Sequence, residues 1–170
     1  GTAAKAADRY AIDVLGIPSL ELMECASRHV TDYILSIFCK NADVVRTDAG
    51  GDQNNAGSDQ RDAGGTRKPV RAVILCSVGN NGADGVCVAR QLLESEQDFS
   101  PAVLLCGNLE KATWEFLHQL SAWKQHGESG KYLHDDSLTA GSAEDASAML
   151  RDADVIVDAV FGIGLKRPVE

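Results

Sequence analysis

Two short stretches of this 170-residue chain hold residue types that can do chemistry. The first is Gly79-Asn80-Asn81-Gly82-Ala83-Asp84-Gly85, directly behind an apolar run at 70–78. Glycines let a backbone turn sharply and approach a ligand closely. A helix that follows such a turn points its free N–H groups at the same crevice, a natural seat for phosphate. Asn80 and Asn81 add amide donors and carbonyl acceptors. Asp84 can cap the helix or accept from a ligand hydroxyl. The stretch fits neither GxGxxG nor GxxxxGK[ST], so the residue types alone allow a ligand site or a tight Asn-Gly turn with a capping Asp. The second stretch is Val157-Asp158-Ala159-Val160-Phe161-Gly162-Ile163-Gly164-Leu165. Asp158 sits inside an apolar run, where an ionised carboxylate is costly to desolvate. It needs a cation, a network of donors or a proton, each with functional uses. The plainer alternative is an Asp that caps a nearby loop. Gly162 and Gly164 follow at once, which favours function.

Elements that position these stretches are readable from periodicity. Residues 3–15 predict a helix, broken by Gly16-Ile17-Pro18. Ser19 suits the N-cap of a second helix, with Glu21 and Glu24 in its first turn. Met23, Ala26, Val30, Tyr33, Ile34 and Ile37 recur at three and four in that helix, which should end near Lys40. The stretch 41–68 contains DAGGDQNNAGSDQRDAGG and changes composition abruptly. It reads as a flexible surface insertion that burial cannot order. Buried strands follow at 70–78, 101–106 and 153–160, with a weak one at Tyr132 and Leu133. Helices are predicted after Gly85, over 109–125 and over 142–152. Alternating strands and helices predict an α/β fold, a Rossmann-like three-layer αβα sandwich with a mainly parallel sheet. In such sheets ligands bind at the carboxyl ends of the strands, where strand order reverses. Both polar stretches end strands and should share that crevice. The chain reads as one domain over 1–170, incomplete at its C-terminal end.

The remaining composition narrows the function classes. A net charge of −9, with no basic cluster beyond Arg67, Lys68 and Arg71, argues against nucleic acid as partner. No apolar run approaches the roughly 20 residues of a membrane-spanning helix. Cys25, Cys39, Cys76, Cys87 and Cys106 are odd in number and form no CxxC pair. They read as free thiols of a reducing, cytoplasmic compartment. His29, His118, His126 and His134 lack metal-ligand spacing, and no serine carries a nucleophile-elbow signature.

GNNGADG behind a strand, followed some seventy residues on by ADVIVDAVFGIGLKRPV, resembles the YjeF N-terminal domain family, the NAD(P)H-hydrate epimerases. Asp13, Gly16-Ile17-Pro18 and Leu22-Met23-Glu24 are similar to that family's upstream segment. The resemblance implies a Rossmann-like fold, usually a homodimer. It implies an isomerase that interconverts the R and S epimers of hydrated NADH and NADPH, so that a dehydratase, sometimes fused, restores the cofactor. It further implies that Asn80, Asn81, Gly82, Ala83 and Asp84 contact the hydrated cofactor. Gly162, Ile163, Gly164, Leu165, Lys166, Arg167 and Pro168 would form the second cofactor-binding loop. Asn81 and Asp158 would hold a potassium ion.

The family's acid/base aspartate belongs to a later segment with no match before Glu170, which leaves the catalytic base unassigned, with Asp158 a candidate. Two departures count against activity. Ala83 stands where the family commonly has Gly, at a point where backbone should approach phosphate, and Cys25 replaces an Asn at the expected site edge beside Glu24. The rival readings are a catalytically silent YjeF-like scaffold or RNA-metabolism interaction module, and an unrelated nucleotide-binding domain. The last needs an acidic residue after the second strand, for which Glu110 is a loose match.

Overall fold

The computed structural model describes residues 2–44, 68–126, 131–134 and 140–162. Elements run in the order α1 (Thr2–Asp13), α2 (Ser19–Val44), β1 (Val70–Ser77), α3 (Asn80–Leu93), β2 (Phe99–Cys106), a 3-10 turn (Leu109–Lys111), α4 (Trp114–Lys124), β3 (Lys131–His134), α5 (Ala140–Arg151) and β4 (Val155–Ala159). The four strands form one parallel sheet in the order β3-β2-β1-β4. The α/β reading holds.

Apolar runs make the strands, and alternation assigns their faces. Ile74 and Cys76 of β1 and Val103 and Leu105 of β2 are buried against α3, α2 and α4, with Val86, Leu92, Phe116 and Trp123 in the same core. Val73 and Leu104 alternate to the opposite face and are buried too. Steps from β1 to β2 to β3 run one way along the sheet, with α3 and α4 as crossovers packed side by side. The step from β3 to β4 runs back past β1, so its crossover α5 belongs on the other face by the right-handed rule. Strand order therefore reverses between β1 and β4. Their register is pinned at the entry: Asp154 N donates to Arg71 O at 2.8 Å, and Arg71 N donates to Asp154 Oδ2 at 2.8 Å.

Several boundaries differ from the sequence reading. Gly16 sits at φ +69 and closes α1. The first bonds of α2 go to Pro18 O, from Glu21 N and Leu22 N, so Pro18 caps that helix. Ser19 instead donates its hydroxyl to Glu115 on α4 at 3.2 Å. Residues 41–44 continue α2, and the rest of the expected insertion, 45–67, lies outside the described residues. The single helix expected over 109–125 is split, because Thr113 is extended and its Oγ1 caps α4 by accepting from Phe116 N. β4 is not covered on both faces. It bonds β1 alone among the described strands, and Ile156 is 50% exposed. Among the described residues no helix is long and apolar enough to cross a membrane.

Candidate functional site

The carboxyl ends of β1 and β4 flank the reversal point, and each leads directly into one of the two polar stretches. Behind β1 the chain turns at once into α3, whose cap is Gly79 in an extended conformation. No side chain caps that helix. Ala83 N bonds Gly79 O at 2.9 Å, so the amides ahead of it lie at an open, positively polarised helix end. Asn80, Asn81, Gly82, Ala83 and Asp84 are thus the opening turn of a helix, not a loop before one.

Glycine serves packing here. A Cβ on Gly82 would lie 1.7 Å from Ser77 O, and one on Gly85 would lie 2.6 Å from Ala159 Cβ and 2.8 Å from Cys76 Sγ. Neither residue has a positive φ. The two glycines let α3 lie directly on the ends of β1 and β4, which brings its N-terminus to the crevice. Ala83 is fully buried within the core. Its methyl packs within that core, at the position where the sequence reading places the approach of backbone to phosphate.

The two stretches meet. A Cβ on Gly162 would lie 3.1 Å from Asn81 Oδ1 and 3.2 Å from Asn81 Cγ. The absence of a side chain at 162 is what allows the β4 loop to rest against the Asn81 amide. Ile163, Gly164, Leu165, Lys166, Arg167 and Pro168 lie outside the described residues.

Asp158 corrects the sequence reading. It pairs with Leu75 in the β1–β4 register but is exposed, and its Oδ1 accepts from Val160 N at 3.0 Å. It alternates to the same uncovered face of the edge strand as Ile156. No desolvation penalty therefore demands a counter-ion for it. Among the described residues no group of three or more His, Cys, Asp or Glu side chains is placed to hold a metal.

Asp84 is the carboxyl of the first polar stretch whose pKa is shifted. Burial, and then the charge of Asp8 on α1, push its carboxyl up to about 6. Its backbone carbonyl accepts from Ser27 Oγ at 3.1 Å, tying α3 to α2. Spacing gave no sign that Asp8 would act on Asp84, seventy-six positions away in the chain.

Glu24 lies elsewhere, at the α2–α3–α4 junction. Its carboxylate accepts from Arg90 Nη2, from Gln91 Nε2 at 3.0 Å and from Gln119 Nε2 at 3.1 Å. Thr31 Oγ1 donates to Gln91 Oε1 at 3.0 Å and completes the network. Burial alone would raise the Glu24 pKa, but bonds from Gln119, Gln91 and Arg90 outweigh it and hold the carboxyl down at about 2. Glu24 is a clamp between helices, and Cys25 beside it is exposed. Glu110 belongs to the 3-10 turn, where its N–H bonds Asn108 Oδ1. Cys76 and Cys87 are buried free thiols, and burial pushes the Cys87 pKa up to about 12.

Residues 19–170 match the family described as YjeF-related protein N-terminus. The chain belongs to this family. It is 33% identical over 168 residues to a protein named NAD(P)H-hydrate epimerase from Limosilactobacillus fermentum, covering 98% of this chain and 59% of that one. It is 32% identical over 173 residues to a protein named bifunctional NAD(P)H-hydrate repair enzyme Nnr from Salinibacter ruber, covering 98% of this chain and 26% of that one. The chain thus spans about six-tenths of the first relative's length. The crystal structure of yeast ynu0 superimposes with a TM-score of 0.66 over 99% of this chain and 58% of that one, at 22% identity, which shows the shared fold.

Proposed function

We propose that this chain is the cofactor-binding part of an NAD(P)H-hydrate epimerase, an isomerase that interconverts the R and S forms of hydrated NADH and NADPH. One observation carries the reading: Gly162 rests against Asn81 at the point where strand order reverses, so two loops close on one crevice beside an uncapped helix N-terminus. Amides of residues 80–82 would take the pyrophosphate. Asn81, with Gly162 beside it, would orient the hydrated ring, with the segment from Gly162 to Pro168 as the second wall. The two departures that spoke for a silent scaffold lose their force. The Ala83 methyl is in the core, and Glu24 beside Cys25 is engaged away from the crevice.

Inversion at carbon 6 of the ring requires the C–O bond to break and re-form on the other face. A proton goes to the departing hydroxyl as the ring nitrogen lone pair expels it as water. Water then adds to the opposite face of the planar cation and gives up a proton, so nothing is consumed. Among the described residues of the two loops, Asp84 is the group whose pKa suits holding a proton near neutral pH. A potassium ion remains part of the proposal. Asn81 and Asp158 offer oxygen donors of the kind a hard cation accepts, and the ion would supply fixed positive charge beside the substrate. The same reading expects a homodimer and a functional link to a dehydratase specific for the S epimer. The Salinibacter ruber relative, named a bifunctional repair enzyme, supports that link.

The test is conversion of purified R-epimer of hydrated NADH, followed by chiral chromatography or NMR. Acceleration is expected, and Asn81→Ala should lose about a hundredfold of it, equivalent to ~2.7 kcal/mol at the transition state. Asp158→Ala should remove potassium dependence along with most activity. A variant at 158 that converts normally refutes the role given to Asp158, and a parent chain that accelerates nothing refutes the activity.

A further inference from the structure

The opening turn of α3 is weak by itself. Glycines stand at 79, 82 and 85, and glycine loses more backbone freedom in a helix than any other residue. No side chain caps the turn, and uncapped helix ends fray. Yet this turn carries the amides and the Asp84 carboxyl that the crevice needs, and catalysis tolerates little misplacement. Something outside the turn must hold it.

On the sheet side, bare glycine backbone rests on Ser77 and Ala159. On the other side lies α2. Among the described residues, the one side-chain hydrogen bond that reaches the turn from another element comes from Ser27, whose Oγ donates to Asp84 O at 3.1 Å. A carbonyl has two lone pairs, so Asp84 O can take this bond beside its bond within the helix. Ser27 is only 1% exposed, and a hydroxyl buried that deeply is costly without a partner. The Cys87 thiol, further along α3, also lies within reach of the hydroxyl, but sulfur is a weak acceptor and the carbonyl the stronger one. One turn further along α2, Thr31 is equally buried and bonds the far half of α3, Oγ1 donating to Gln91 Oε1 at 3.0 Å. α2 thus pins α3 at two points, one at the crevice and one away from it.

We propose that Ser27 is a positioning residue for the epimerase site: its hydroxyl holds the opening turn of α3, so that the amides of residues 80–82 and the Asp84 carboxyl stay in place at the crevice. The proposal deepens the epimerase reading and rests on it. Ser27 touches no substrate and moves no proton; it acts through the Asp84 carbonyl. Thr31 joins the same two helices without bearing on that turn, and so supplies the control.

The test compares Ser27→Ala and Thr31→Val with the parent. Ala is smaller than Ser and a stronger helix former, so Ser27→Ala keeps the fold, with circular dichroism as the check. Hydrogen exchange is followed by NMR at Ala83 N–H, which closes the turn on Gly79 O. It should quicken about fivefold in Ser27→Ala, the effect of one lost hydrogen bond on local opening, and keep the parent rate in Thr31→Val. In the conversion assay Ser27→Ala should lose about tenfold in kcat. The parent kcat should fall above about pH 6, where Asp84 gives up its proton. In Ser27→Ala that limb should move to lower pH as water reaches the loosened carboxyl. Thr31→Val should melt lower than the parent but keep its kcat and its pH limb. Parent kinetics in a folded Ser27→Ala chain, or parent exchange at Ala83, overturns the proposal. An equal loss of kcat in Thr31→Val also overturns it, since the helix pair would then act only as packing. A parent chain without conversion overturns the epimerase reading instead, and quickened Ala83 exchange in Ser27→Ala would still show the hold on the turn.

Discussion

The two ends of α3 hold polar clusters of opposite character. Around its C-terminal half, Arg90 and Gln91 meet Glu24, with Gln119 and Thr31 closing the ring, and the carboxyl is driven down to about 2. At its N-terminus no side chain caps the helix, and Asp84 is pushed up to about 6. One end of α3 thus meets a carboxylate of α2, Glu24, whose charged form is fully provided for, and the other end carries Asp84, whose charged form is penalised. The difference separates structure from function. A cluster that answers its own charges holds elements together. A cluster with a perturbed carboxyl and open amides, set at a strand-order reversal, is shaped for something yet to arrive.

That comparison presumes that α3 is fixed at both ends, and the largest predicted effect tests this. Gly82→Ala would drive a methyl to within 1.7 Å of the Ser77 carbonyl oxygen, a backbone atom that cannot swing aside. α3 would have to lift from β1. We expect destabilisation of at least about 4 kcal/mol, the range reserved for steric failure in a core, read as loss of folded protein in circular dichroism and denaturant melts. A folded Gly82→Ala chain with the parent melting point would mean that α3 is not held against the strand. The open end would then be a consequence of mobility and not of design.

How much of this was legible beforehand follows from the range of each interaction. Strands at 70–78 and 101–106 announced themselves as unbroken apolar runs, and their alternation with helices was enough to imply the sheet and its crevice. The two polar stretches were recognisable because each directly follows a strand. Asp158 was misjudged because an apolar neighbourhood in sequence does not say whether a strand is covered, and β4 is an edge whose outer face holds Ile156 in the open. Gly82 and Gly85 read equally as a tight turn or as a close approach to a ligand because glycine signals both, and only the fold shows Ser77 and Ala159 beneath them. Glu24 was assigned to the site edge since its partners, Arg90, Gln91 and Gln119, are 66, 67 and 95 positions away. Long-range polar pairing has no period to read.

A smaller effect sharpens the contrast from the C-terminal end of α3. Glu24→Gln keeps the shape but removes the charge that answers Arg90, whose side chain is only 16% exposed. Breaking a buried pair from one side costs several kcal/mol, but Glu24 is 39% exposed and water screens part of that. We expect a loss of about 1–2 kcal/mol in urea melts at neutral pH. A carboxyl held at about 2 contributes stability above its ordinary 4.5 and surrenders it as pH falls towards 2. The deficit of the variant should therefore shrink over that window. Conversion activity per folded molecule should be unchanged, because Glu24 does not face the crevice. Lost activity in a stable Glu24→Gln chain would erase the division between the two regions.

The smallest effect comes from the open end and has the opposite sign. The Asp84 carboxyl titrates at about 6 in the folded chain against an ordinary 3.8, so the folded state keeps a proton that the unfolded state releases. That proton stabilises the fold fully below 3.8, and the benefit is lost as pH rises through about 6. Above that point the parent carries a charge that burial and Asp8 both oppose. Asp84→Asn cannot ionise, so it should melt a few degrees higher than the parent at pH 8 and together with it at pH 4. Calorimetry at the two pH values checks this, and added potassium provides the control. An Asn variant less stable than the parent at pH 8 would show that the Asp84 carboxylate already has a favourable partner. Its environment would then be as self-satisfied as that of Glu24, and the open end of α3 would lose the feature that marks it as a site.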